Sequence, residues 1–145
     1  MEVQQLGHVV LKVRDIDRSE RFYTEVLGLA VAARMDAPPM IFFSLGNHHD
    51  FAITAVGADA PDSALNSPGL FHVAFKVGDS TDELRDAKSH LDALGVEIAM
   101  TADHTVTESI YFDDPDGNTI EVYVDVSEVW RTDPQTVATI APLSL

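Results

Sequence analysis

The sequence contains no cysteine. That excludes disulfides, thiolate metal sites and a cysteine nucleophile together. Basic residues are scarce: 9 Lys+Arg stand against 24 Asp+Glu, a formal net charge of -15 over 145 residues. A surface of that sign repels phosphate backbones and anionic lipid heads, so no nucleic-acid and no membrane partner is expected. The acidic residues are spread along the chain, which reads as a solubilising surface and not as an interaction tail. No apolar run approaches the roughly 18 residues of a membrane span. Met1-Glu2-Val3-Gln4-Gln5 lacks the basic and apolar regions of a signal peptide, so a soluble, cytoplasmic protein is expected. Hydrophobic residues at 46% and charged residues at 23% argue for a packed globular chain. The length suits one domain, or two small modules sharing a core.

The chain repeats itself. His8-Val9-Val10-Leu11-Lys12-Val13 is echoed by His72-Val73-Ala74-Phe75-Lys76-Val77. An amphipathic segment follows each copy and ends in Leu-Gly plus an apolar residue. The first runs near 17–27, with Phe22, Tyr23, Val26 and Leu27 apolar and Gly28 as the stop. Asp17 and Glu20 have capping-box spacing there, as Ser80 and Glu83 do before the second segment near 81–94. Strand-like runs follow at 29–34, 40–45 and 51–56, then at 96–100, 108–112 and 119–125. Asp114-Pro115-Asp116-Gly117-Asn118 is a turn. The spacing predicts one α+β domain over 1–145, built from paired βαβββ modules. These lie near 5–56 and 70–126, with a linker at 57–69 and a tail at 127–145 that has no clear period.

Side chains alternate across a strand. Val9, Leu11 and Val13 therefore share a helix-facing side, as do Val73, Phe75 and Val77, then Ile110 and Phe112, then Ile120, Val122 and Val124. The opposite faces carry His8, His72, Ser109, Tyr111, Glu121 and Tyr123. Two four-stranded sheets, each backed by a helix, would enclose a polar concavity receiving His8, His72, Tyr111 and Glu121. A lone histidine there is more often a hydrogen-bonded core residue than a ligand. Glu121 changes the balance, because a glutamate between apolar neighbours is costly to bury without a cation. Two imidazoles and one carboxylate form the facial triad of non-haem Fe(II) sites. Ala52 occupies the position equivalent to Glu121 in the first module, leaving room for a chelating substrate. His48 and His49 should point to opposite faces, so one of them should be inside. His90 reads as a surface or boundary residue, and Trp130 as a cover for one end of the cavity or an oligomer contact.

These features resemble the vicinal oxygen chelate superfamily, which includes glyoxalase I, fosfomycin and bleomycin resistance proteins and extradiol catechol dioxygenases. The resemblance covers about residues 5–126. The extradiol branch fits best. Its signature reads here as His104, five residues, Ile110-Tyr111, Phe112-Asp113, Asp114-Pro115, Asp116, Gly117, three residues, Glu121. Ala102, two before His104, departs from the branch's usual residues. Asn47-His48-His49-Asp50-Phe51-Ala52 looks like the branch's His-x-x-Ala segment and maps a catalytic histidine to His49. The resemblance implies a curved mixed β-sheet around a metal, with the helices outside. It implies metal ligands His8, His72 and Glu121, catalytic residues His49, His104 and Tyr111, and Fe(II) as cofactor. Mn(II) is the alternative, and Zn(II) an adventitious occupant. It implies an oxidoreductase of aromatic compound catabolism, opening a catechol-type diol beside its hydroxyls with O2. His49 would act as acid/base catalyst, and Tyr111 with His104 would hydrogen-bond the diol. By analogy it implies a homodimer or higher homo-oligomer. The alternatives are a metal-dependent isomerase or thiol transferase of the same fold, or a protein that sequesters a drug-like ligand.

Overall fold

Asp15, not Asp17, starts the first helix. In the computed structural model α1 spans Ile16–Glu25, and the Asp15 side chain accepts from the Arg18 N–H at 3.0 Å. That bond to the ionised carboxylate lowers the Asp15 pKa. Asp17 sits inside the first turn, where its charge complements the helix dipole. Glu20 pairs with Arg34, so the expected Asp17–Glu20 box does not form. The structure describes residues 1–62 and 67–145; residues 63–66 of the expected linker lie outside the described residues. The chain divides into two compact units, Met1–Ser67 and Pro68–Leu145.

In the first unit β1 (Val9–Val13), β2 (Ala30–Asp36), β3 (Pro39–Ser44) and β4 (Phe51–Ala55) form a sheet in the order β1-β4-β3-β2, and α1 packs on β3 and β4. β1 and β4 are parallel and the other pairs antiparallel. Tyr23 is the buried anchor of α1, its ring 4.7 Å from Phe51 and 5.9 Å from Phe43. Phe22, Val26 and Leu27 are only half-buried.

The second unit repeats the plan with α2 (Thr81–Ala93), β5 (Val73–Gly78), β6 (Ile98–Asp103), β7 (Thr107–Asp113) and β8 (Thr119–Asp125). It adds β9 (Ala141–Pro142), giving the order β5-β8-β7-β6-β9. The fold is therefore α+β, with two mixed sheets of four and five strands; the sequence reading had four in each. The fifth strand comes from the tail, where two residues show no period to read. β6 begins later than expected because Val96 still donates to the Leu91 carbonyl, closing the turn after α2. Val77 is exposed and not helix-facing, since the β5–β8 register slips between Lys76 and Gly78.

The second capping box forms. Ser80 Oγ accepts from the Glu83 N–H at 3.4 Å, and Glu83 Oε2 accepts from Asp79 N–H at 2.8 Å and from the Ser80 hydroxyl at 2.7 Å. Those donors hold the Glu83 pKa low. Ser80→Ala should destabilise the chain by about 1 kcal/mol at neutral pH. A depressed carboxyl pKa stabilises above its unfolded value, and that stabilisation fades as pH falls through the folded value. The penalty should therefore shrink in acid, a change that thermal unfolding of parent and variant at two pH values would reveal.

Candidate metal centre and its hydrogen-bond network

The repeat places equivalent strands in equivalent register. Ala52 lies opposite Val10 and Phe42; Glu121 lies opposite Ala74 and Tyr111. The two modules thus differ at this point by a buried methyl in one and a buried carboxylate in the other. The turn between β7 and β8 fixes that register. Asp114 Oδ1 accepts from the N–H groups of Asp116 and Asn118, both at 2.8 Å, and Gly117 adopts φ 81, which glycine tolerates.

In the second unit, His72 Nε2 lies 3.0 Å from Glu121 Oε2. The other carboxylate oxygen accepts from the Ser109 hydroxyl at 2.6 Å, and both Ser109 and Glu121 are buried. The Tyr111 ring stands edge-on to His72, centroids 5.8 Å apart. Its hydroxyl is 2.9 Å from His104 Nε2. Burial, then the Glu121 charge, pushes the Tyr111 pKa up to about 12, so this phenol stays protonated at neutral pH. His72, Ser109, Tyr111, Glu121 and His104 therefore form one cluster. Both histidines of the repeat stand one residue before their strands, not within them.

His8 and His49 belong to the first unit. Their rings are 4.2 Å apart, and His49 also meets Phe42 edge-on at 5.3 Å. His48 does not point away from His49. The two Nδ1 atoms are 2.8 Å apart, because residues 45–50 form a bend and not a strand. Asp50 Oδ2 draws that bend together by accepting from the Leu45 N–H at 2.6 Å. Partial desolvation, then repulsion from His8 and His48, lowers the His49 pKa, while Asp50 opposes. Among the described residues no three His, Cys, Asp or Glu side chains group as a metal site.

The donors of the second unit nevertheless suit a divalent cation. They offer an imidazole nitrogen beside a buried carboxylate oxygen, with the second oxygen already hydrogen-bonded. His72 Nδ1 is buried and has no hydrogen-bond partner among the described residues. Sequence reasoning gave Ser109 its face but no role. Its position two residues before Tyr111 was the available signal. If Glu121 is a metal ligand, Ser109→Ala should weaken metal affinity about 10- to 100-fold by removing its hydrogen-bond partner, measurable by chelator competition. At the far end of β5 and β8, Lys76 is held protonated by Asp125 and Asp79, and with Trp130 and Arg131 it lines a cavity of about 600 Å³. The Arg131 guanidinium lies 4.5 Å from the Trp130 ring centroid. His90 is exposed. No helix among the described residues is long and apolar enough to cross a membrane.

Comparison with known proteins places the chain in a family. Residues 5–122 match the Glyoxalase/Bleomycin resistance protein/Dioxygenase superfamily, to which the chain belongs. It is 32% identical over 123 residues to biphenyl-2,3-diol 1,2-dioxygenase 3 of Rhodococcus globerulus, covering 83% of this chain and 63% of that protein. It is 31% identical over 136 residues to catechol-2,3-dioxygenase of Bacillus subtilis (strain 168), covering 91% and 46%. The chain thus spans less than two thirds of either relative. It is also 27% identical over 124 residues to the metallothiol transferase FosB of Lysinibacillus sphaericus, covering 85% and 84%. Among solved structures, a glyoxylase/bleomycin resistance protein/dioxygenase domain from Frankia sp. EAN1pec superposes with a TM-score of 0.72 at 25% identity, covering 86% and 99%.

Proposed function

We propose that the chain is an extradiol ring-cleaving dioxygenase acting on a catechol-type diol with O2, through Fe(II) held by His8, His72 and Glu121. One observation carries the reading. Tyr111 is hydrogen-bonded to His104 and stands in register beside Glu121, which contacts His72, at the signature spacing legible in the sequence. The resemblance to two diol dioxygenases supports it.

Bound Fe(II) would supply electron transfer between a chelated diol and O2. The chain's own residues handle position and protons. Ser109 fixes the orientation of the Glu121 carboxylate. Tyr111, kept as a neutral phenol, offers a hydrogen bond to a diol oxygen and passes a proton on to His104 Nε2. His49, its pKa lowered, is an unprotonated imidazole at neutral pH, ready to accept a proton. His49→Phe should retain iron and slow turnover by about 10²- to 10⁴-fold, the usual span for a lost acid/base group. An unchanged rate in single-turnover kinetics would remove His49 from the chemistry.

The deciding experiment removes metal, reloads Fe(II) without oxygen, and adds a panel of catechols in air-saturated buffer. Iron-dependent oxygen uptake with a coloured ring-opened product is expected. Absence of uptake across the panel, with iron bound and ferrous, would sink the reading. The second reading is a metal-dependent isomerase or thiol transferase. It is favoured by one fact, that the match to the metallothiol transferase spans most of both chains. The same metal would then polarise a substrate oxygen, and the next panel would be hemithioacetals and fosfomycin.

A further inference from the structure

The tail beyond residue 126 runs past the family match, yet it ends on the candidate site. β9 pairs with β6 at Ala102 and Asp103, and the Thr101 hydroxyl donates to the Leu143 carbonyl at 2.7 Å. These contacts lay residue 139 against His104. The Thr139 carbonyl oxygen is 2.8 Å from His104 Nδ1. A carbonyl only accepts, so Nδ1 must carry the hydrogen of that bond. In a neutral imidazole the other nitrogen is then bare. That nitrogen, Nε2, lies 2.9 Å from the Tyr111 hydroxyl and takes its hydrogen.

The Thr139 hydroxyl fastens the same point from a second side. It is 2.7 Å from the His104 carbonyl and 2.8 Å from the Thr105 hydroxyl. Thr105 has φ 70, a left-handed conformation that a β-branched residue avoids. Asp103 Oδ1 braces it by accepting from the Thr105 N–H at 2.6 Å, and the His104 N–H donates to the Thr107 carbonyl at 2.8 Å. An unfavourable backbone conformation beside a candidate catalytic group, held from both sides, is how a side chain is kept in one orientation.

We infer that Thr139 is a positioning residue. Its carbonyl locks His104 as the Nδ1–H tautomer, and its hydroxyl holds the Thr105 turn that aims the ring at Tyr111. Resting on the proposed function, this makes the tail part of the proton path. A diol hydroxyl gives its proton to the Tyr111 oxygen while the Tyr111 proton moves to His104 Nε2. The resulting imidazolium keeps its Nδ1–H···O=C bond to Thr139. The opposite tautomer would present an N–H to Tyr111 and could take no proton.

Long-range ¹H–¹⁵N correlation of the imidazole rings tests this on the full chain without added metal, above the usual histidine pKa of about 6.5. The His104→Gln variant identifies the His104 signals. A protonated Nδ1 and a bare Nε2 are expected, the reverse of the preference of a free histidine. A dominant Nε2–H form would overturn the lock. Thr139→Val removes the anchoring hydroxyl at nearly constant volume, so a second, Nε2–H population is expected. A spectrum unchanged from the parent would overturn the role of the Thr139 hydroxyl. The measurement needs no turnover. A locked tautomer with no catechol-dependent oxygen uptake would keep this inference and discard the proposed function; uptake with a free tautomer would do the opposite.

Discussion

His72→Ala should yield a protein that folds, binds no stoichiometric metal and consumes no oxygen. The side chain is about one-third exposed, so its loss leaves no deep cavity. What it leaves is a buried Glu121 carboxylate without the imidazole 3.0 Å away, retaining the Ser109 hydroxyl on its other oxygen. Removing one of three proposed ligands, the one beside Glu121, should abolish tight binding. Metal analysis after exhaustive dialysis against Fe(II) gives the answer. Stoichiometric metal in the variant would strike His72 from the ligand set.

The second large effect concerns stability. Phe51 is fully buried, packed at 4.7 Å against Tyr23 and 5.8 Å against Phe43. It also opens β4, whose parallel pairing with β1 begins at the Val9–Phe51 position. Phe51→Ala should cost about 3–5 kcal/mol, by lost transfer energy plus an unfilled cavity between the helix and its sheet. Native domains hold only about 5–15 kcal/mol in all, so the variant should approach the unfolding threshold. Urea denaturation at fixed temperature would measure the shift in midpoint. Phe51→Leu should recover a large part of the loss, since it refills much of the volume.

Most of the fold was legible because it is written twice. One strand pattern could be accidental; the same pattern recurring with a helix and three strands behind each copy could not easily be. Alternation along β8 separated Ile120, Val122 and Val124 from Glu121, and burial follows that division closely for the apolar residues. Periodicity failed where the local backbone is not periodic. Strand alternation would send His48 and His49 to opposite faces, but they lie in a bend drawn together by Asp50. Alternation at constant register would put Val77 on the helix side, and the slip after Lys76 turns it out. Asp17 had the right spacing for a cap, but Asp15 reaches the Arg18 N–H first. The His104–Tyr111 contact joins two signature residues and so could be anticipated. The contribution of Thr139 could not, because it is made largely by a backbone carbonyl, which every residue possesses.

The parallel pairing of β1 with β4, and of β5 with β8, has a kinetic consequence. In each unit the strand made first finds its partner in the last strand of the module. A nascent chain leaving the ribosome can close the first sheet once Ala55 has emerged. The second must keep β5 waiting through a helix and two strands until Asp125 is free. During that interval β5 is an apolar strand with both edges unpaired, a state prone to associate with other chains. Late closure of distant contacts is slow, so the parallel pairing should be the slow step within each unit. The residues brought together in that final step include His72 and Glu121. Any affinity for metal contributed by this pair would therefore arise only once β8 has paired with β5, and not before.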